Sequence, residues 1–247
     1  MSSIAGKRVW ITGGGTGIGA GSALLLAERG AEVIVSGRRA NKLEEVVEQI
    51  TGKGGKASAV ALDMADAGAV EQAAADIGRV DILLASAGLN VPNRSLDKLG
   101  SGDWDKVVNV NLNGVYYPIH AVLPQMRARG DGLVMIVSSW AGRHVGRLTG
   151  AAYTATKHAV VALSETINCE EGGNGIRSTV IMPGEIATDI LKDRPVPPSQ
   201  KEMDRMLQVD DLAETVRYVA EMPAHVCVNE ILISPTWNRF YQGFDEV

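Results

Sequence analysis

The sequence predicts an α/β protein: one doubly wound layer of about seven parallel strands with helices on both faces. Two observations carry this. Short runs rich in Val and Ile alternate with longer stretches of helical spacing, and a glycine-rich turn lies where the first such run meets the first helical stretch. Strict alternation requires a crossover between successive strands, and crossovers make the pairing parallel.

The apolar runs are Arg8–Ile11, Glu32–Val35, Ala57–Leu62, Asp81–Ala85, Leu133–Val137, Arg177–Ile181 and Glu230–Ile233. Each is short and nearly continuous in apolar residues, so each is expected to be a strand buried on both faces. Between them Ile18–Arg29, Asn41–Ile50, Ala67–Ile77, Asp103–Ala128, Tyr153–Glu170 and Asp210–Glu221 carry helical spacing. Gly30 and Gly130 follow helical stretches as C′ residues, and Gly172, Gly173 and Gly175 separate the fifth stretch from the next strand. Asp193–Ser199 contains Pro195, Pro197 and Pro198 and is neither regular helix nor inner strand. We read 192–209 as a candidate substrate lid, within a single domain spanning residues 1–247.

The composition of the 247 residues is ordinary for a globular protein, with 45% hydrophobic and 21% charged residues. A formal net charge of −5 argues against a phosphate-backbone binder, so no nucleic-acid partner is expected. Cys169 and Cys227 lie in no metal-ligand pattern, and His120, His144, His158 and His225 form no metal-spaced pair, so no metal is expected. The first apolar segment is too short for a signal sequence or a membrane span; the expected location is cytoplasmic, with no membrane partner.

Thr12-Gly13-Gly14-Gly15-Thr16-Gly17-Ile18-Gly19 follows the first strand and opens the first helix. Glycines there allow close backbone approach, and a helix N-terminus aims unpaired N–H groups at a pyrophosphate. A flexible loop is the alternative for any glycine-rich turn; the strand before it and the helix after it favour dinucleotide binding. The spacing is G-x-x-x-G-x-G, and further motifs follow in order. They are Asp63-Met64 after the third strand, Ser86-Ala87-Gly88 after the fourth, Asn111, Ser139 after the fifth, Tyr153-x-x-x-Lys157, and Pro183-Gly184 after the sixth.

This register resembles the short-chain dehydrogenase/reductase family over nearly the whole chain, and implies a Rossmann-type fold and an oxidoreductase. Ser86 departs from the family's Asn in Asn-Ala-Gly, and the Ser139–Tyr153 interval is one residue longer than in many relatives. The resemblance implies cofactor contacts at Gly13, Gly15, Thr16, Gly17, Ile18, Gly19, Asp63, Met64, Ser86, Ala87 and Gly88. It implies others at Pro183 and Gly184, at the Ile186 backbone and at the Thr188 hydroxyl.

Removing hydride from a carbinol carbon requires a base for the hydroxyl proton and a donor for the oxyanion in reverse. Tyr153 can be both, once an ammonium lowers its ordinary pKa of about 10. Lys157, four residues on, shares its helical face. Alone, Tyr153 reads as a helix-start residue and Lys157 as a solvated one; their place in the register reverses that. By resemblance Lys157 also holds the nicotinamide ribose, Ser139 bonds the substrate oxygen, and Asn111 helps hold a proton-relay water. Ser138 is read as structural.

After the second strand the chain reads Val35-Ser36-Gly37-Arg38-Arg39, with no acidic residue for a ribose 2′-hydroxyl and two guanidinium groups suited to a 2′-phosphate. The expected cofactor is therefore NADP, with NAD the alternative. Arg143, His144 and Arg147 between Ser139 and Tyr153, with Arg194 in the candidate lid, suggest a small polar substrate such as a hydroxy acid or a similar anion. The segment 228–236 resembles the ending of the NADP-dependent serine and 3-hydroxy-acid dehydrogenases of the family. Trp237, Arg239, Phe240 and Tyr241 beyond it are placed to reach a neighbouring subunit or its pocket. Other readings are a 3-oxoacyl thioester reductase and a dinucleotide-sensing regulator without catalysis. The resemblance also implies a homo-oligomer, a tetramer or dimer.

Overall fold

The computed structural model describes residues 2–188, 191 and 196–242. Its strands are β1 (Arg8–Thr12), β2 (Glu32–Gly37), β3 (Lys56–Ala61), β4 (Ile82–Ala85), β5 (Gly132–Val137), β6 (Ile176–Pro183) and β7 (Glu230–Ile233). They form one parallel sheet in the order β3-β2-β1-β4-β5-β6-β7, with Trp10 opposite Ile34 on one side and Leu83 on the other. The described helices are α1 (Gly17–Glu28), α2 (Ala40–Gly52), α3 (Ala67–Ile77), α4 (Ser101–Val108), α5 (Gly114–Arg129), α6 (Ala151–Glu171), α7 (Gln200–Met203), α8 (Val209–Ala220) and α9 (Arg239–Gln242).

Side-chain alternation along the strands divides the core into two layers. Val9 and Ile11 of β1 pack with Leu26 of α1, Val46 of α2 and Val216 of α8. Trp10, between them in sequence, faces the opposite layer with Val70 of α3, Ile119 of α5 and Val160 of α6. Its indole Nε1 donates to Ser36 Oγ at 2.7 Å, so the buried ring leaves no orphan donor. The chain runs outward from β1 to β3 and returns to β4 on the other flank of β1. The connections leaving β1 and β4 therefore diverge and open a crevice at the carboxyl ends of the strands.

Two expectations need correction. β3 and β7 are not buried on both faces: β3 has only exposed and half-buried residues, and Leu232 of β7 is 45% exposed. They are the two edges of the sheet, where neighbouring strands and helices cover less. The stretch Asp103–Ala128 is not one α-helix either, because a π-helical turn at Asn109–Asn113 separates α4 from α5. Such a turn rotates the residues that follow relative to a regular helix, and here it carries Asn111 into the interior, fully buried. Of the candidate lid, the described part is irregular before α7 and then returns to the turn after β6, where Leu207 N donates to Glu185 O at 3.0 Å.

Glu171, at the end of α6, is gripped by both arms of the Arg127 guanidinium from α5. The hydrogen bonds from Arg127, and a further one from Asn174, hold its carboxyl down at about 2 instead of 4.5. A carboxylate with a depressed folded pKa contributes stability that is complete above its unfolded pKa and is lost as pH falls toward the folded one. Half of the guanidinium stays in water, so solvent screening keeps the pair's contribution modest. Glu171→Gln should therefore melt below the wild type at pH 6, and the gap should shrink as pH drops below about 4.5. A constant gap from pH 6 to pH 3 in thermal denaturation would contradict this.

Candidate active site

The crevice holds a cavity of about 340 Å³. Its floor starts with the turn after β1. Gly13 has φ of +67°, and a Cβ there would lie 2.8 Å from the Ala87 backbone; a Cβ on Gly19 would lie 2.4 Å from the Gly13 carbonyl oxygen. The turn can thus pack against α1 and the loop after β4 only as glycine. Thr12 Oγ1, fully buried, accepts from Ser86 N at 3.2 Å and from Ala87 N at 3.3 Å. That anchoring of the β4 loop through its backbone is compatible with serine at position 86.

α1 begins beside the cavity with no side-chain cap and no acidic residue in its first turn. Its unpaired N–H groups and positive dipole end suit an anion. The cradle that a Cβ would fill, together with this helix start, fits a dinucleotide pyrophosphate.

Of the expected cofactor contacts, Gly13, Gly15, Thr16, Gly17, Ile18, Arg38, Arg39, Asp63, Met64, Ser86, Ala87, Gly88, Pro183, Gly184, Ile186 and Thr188 line the cavity. Gly19 supports the turn from beneath. Arg38 and Arg39 are exposed at the end of β2, and Arg39 Nη2 donates to Thr16 Oγ1 at 3.0 Å.

Ser139, Tyr153 and Lys157 line the same cavity. Ser139 caps the short 3₁₀ turn Trp140–Gly142, its Oγ accepting from Ala141 N at 3.2 Å. Ser138 donates to the Lys157 carbonyl at 2.8 Å. Gly142 packs there as well, because a Cβ on it would lie 2.5 Å from Ser138 Oγ. This contact ties the strand end carrying Ser139 to the helix carrying Tyr153 and Lys157.

The Lys157 ammonium is buried, donates to Val137 O at 2.9 Å and lies 5.5 Å from the centroid of the Tyr153 ring. Burial lowers its pKa to about 8 from 10.5. Asn111 does not line the cavity. Its amide clamps the backbone of Leu89, Oδ1 accepting from Leu89 N and Nδ2 donating to Leu89 O, both at 2.8 Å. A Cβ on Gly88 would lie 3.5 Å from both Asn111 Oδ1 and Lys157 Nζ, so the amide and the ammonium flank one glycine.

Of the expected substrate residues, the three described ones do not meet at the cavity. Arg143 is exposed and pairs with Glu230 of β7, His144 stacks on Trp140 at 4.5 Å, and Arg147 is exposed; none of the three lines the cavity. Arg194 lies outside the described residues. Besides Arg38 and Arg39, the cavity is lined by Arg94, whose Nε and Nη1 donate to Val91 O at 2.9 Å and Leu148 O at 3.3 Å. With Asn90 Nδ2 donating to Thr149 O at 2.9 Å, the segment after β4 pins the loop that precedes Tyr153.

Asn90, Arg94, Thr149 and Glu185 were not read from the sequence. The one signal was Gly150, whose φ of +75° and would-be Cβ contact of 2.4 Å with the Arg94 carbonyl mark the crossing of the two segments. Phe240 lines the cavity of its own chain.

The sequence profile of the family described as short chain dehydrogenase matches residues 7–197. Glycine betaine reductase ATRR of Emericella nidulans is 35% identical over 245 residues, covering 94% of this chain, which spans only 19% of that longer protein. Among solved structures, a 3-ketoacyl-ACP reductase from Sinorhizobium meliloti 1021 superposes with a TM-score of 0.82 at 34% identity, covering 92% of this chain and 96% of that one. The closed form of a serine dehydrogenase complexed with NADP+ superposes with a TM-score of 0.84 at 27% identity, covering 97% and 98%.

Proposed function

The chain belongs to the short-chain dehydrogenase/reductase family of oxidoreductases acting on CH–OH groups, and from that premise we propose an NADP(H)-linked enzyme interconverting a small polar hydroxy compound and its keto form. The observation that carries this reading is the convergence of Ser139, Tyr153 and Lys157 on the cavity that also holds the glycine turn.

When bound, the nicotinamide supplies or accepts the hydride. The chain's residues do the rest. In oxidation the Tyr153 oxygen takes the proton of the substrate hydroxyl, and in reduction its O–H returns that proton to the carbonyl oxygen. The Ser139 hydroxyl donates to the same oxygen and steadies the charge that develops there. The Lys157 ammonium favours the negative phenolate and is placed to hold the nicotinamide ribose. Asn111 acts through Leu89 and the Gly88 turn beside Lys157, a placement suited to supporting a proton-relay water.

NADP is favoured over NAD by Arg38 and Arg39, which stand where an NAD-preferring site carries a carboxylate. Replacing both with Ala should lower kcat/KM for NADPH about tenfold to a hundredfold while changing that for NADH less than about threefold. Equal losses with both cofactors would remove the 2′-phosphate role.

The substrate is proposed to be a short hydroxy acid or similar anion. Support for this is the polar part of the cavity lining, Ser139, Asn90, Thr149 and Arg94. The similarity to a 3-ketoacyl-ACP reductase favours a second reading, reduction of a 3-oxoacyl thioester. Comparing kcat/KM for short hydroxy and keto acids, their uncharged analogues and 3-oxoacyl thioesters separates the two. Preference for thioesters would replace the first reading with the second.

The enzyme is read as one catalytic unit, with 192–209 as cover over the substrate end, working as a dimer or tetramer in the cytoplasm. No helix among the described residues is long and apolar enough to cross a membrane.

A further inference from the structure

Arg239 stands where three segments meet. Its Nε and Nη2 donate to the two oxygens of Glu185, both at 2.7 Å, and its Nη1 donates to Glu202 Oε1 at 2.6 Å. Glu185 belongs to the turn after β6, between Gly184 and Ile186 of the cavity wall, and Glu202 to α7; Arg239 itself opens α9. The Glu185 side chain is 2% exposed and that of Arg239 is 12% exposed. Glu202 is fixed in turn by accepting from the backbone N and hydroxyl of Ser199 at 2.7 and 2.8 Å.

A buried ion pair seldom adds net stability over an apolar contact of equal volume, and its best-attested use is to fix one arrangement of segments. The arrangement fixed here is visible in the next residue. Phe240 stacks on Trp140, with ring centroids 5.9 Å apart, and lies 3.9 Å from where a Gly146 Cβ would stand. It therefore packs against the segment that leaves Ser139, while also lining the cavity. Tyr241 meets the other edge of Trp140 at 5.4 Å.

We infer that Arg239 is a positioning residue: by bridging Glu185 and Glu202, its guanidinium holds α9 so that Phe240 closes the substrate end of the cavity and limits substrate size. The inference rests on the oxidoreductase reading of the cavity. Only a guanidinium serves this task, since its planar fork meets one carboxylate along one edge and leaves a third N–H for the second. An ammonium at the same place would supply charge without that geometry.

The test uses the full-length protein saturated with NADPH, with acetoacetate as the small probe and benzoylacetate as the larger one. Arg239→Lys keeps the charge, and Glu202→Gln keeps an oxygen for Ser199, so neither leaves Glu185 without a cation. In both variants the backbone amides of 239–242 should exchange hydrogen about tenfold faster, with NADPH affinity unchanged. The KM for acetoacetate should rise about tenfold while kcat stays within about threefold. Phe240→Ala should raise the benzoylacetate-to-acetoacetate ratio of kcat/KM by about tenfold or more.

Unchanged exchange at 239–242 in Arg239→Lys would overturn the positioning role, and an unmoved ratio in Phe240→Ala would overturn the closure. If the wild type reduces neither keto acid yet the amides respond as expected, the substrate reading fails while the positioning role stands.

Discussion

Tyr153→Phe should lower kcat by about 10²–10⁴-fold while leaving NADPH affinity nearly unchanged, because only the proton-transfer group is removed. The ring keeps its place on α6 beside the Lys157 ammonium, 5.5 Å from the centroid. The Ser138 bond to the Lys157 carbonyl that fixes α6 to β5 is untouched. The loss should therefore appear in kcat and kcat/KM together, the signature of an interaction made in the transition state. A variant that keeps the wild-type rate would remove Tyr153 as acid and base. One that loses NADPH binding as well would instead place Tyr153 in the cofactor site.

Lys157→Met should damage two properties at once, since the ammonium is assigned both to the phenolate and to the cofactor ribose. The thioether roughly keeps the buried volume and loses the charge and the bond to Val137 O. NADPH should bind about tenfold more weakly, and kcat should fall about a hundredfold or more. The buried ammonium has its pKa lowered to about 8, so it is charged below that pH and loses its proton above it. Wild-type affinity for the cofactor should therefore weaken as pH rises from 7 to 9, and in Lys157→Met this dependence should disappear. Fluorescence titration at the two pH values checks both statements. Unchanged affinity at pH 7 would remove the ribose-holding role, whatever happens to the rate.

What was legible in the sequence was what depends on local pattern. The strands showed as apolar runs because a parallel sheet buries its inner strands on both faces; the same logic failed for β3 and β7, since edge position is a property of the sheet order and leaves no mark on a run of six residues or fewer. The π-turn at Asn109–Asn113 left no mark on the helical spacing of Asp103–Ala128. Periodicity cannot show that the turn points Asn111 at the backbone of Leu89.

The glycine turn and the Tyr153–Lys157 pair, which line the cavity, were readable because each is a set of neighbours along the chain. The wall of the substrate end was not. Asn90, Arg94, Thr149, Glu185 and Phe240 come from segments far apart in sequence and meet only after folding. Arg143 and Arg147 do not meet there because side chains on an exposed loop take the partner they face, which for Arg143 is Glu230.

The most direct test of the account is to follow deuterium from NADPH carrying deuterium at both nicotinamide C4 positions into product, with a panel of short keto acids and 3-oxoacyl thioesters, in the wild type and in Tyr153→Phe. The account predicts label on the carbinol carbon, one per NADPH oxidised, with the wild type and almost none with the variant. Saturable NADPH binding with no label transferred to any compound of the panel would contradict it, and would leave a dinucleotide-binding protein without catalysis.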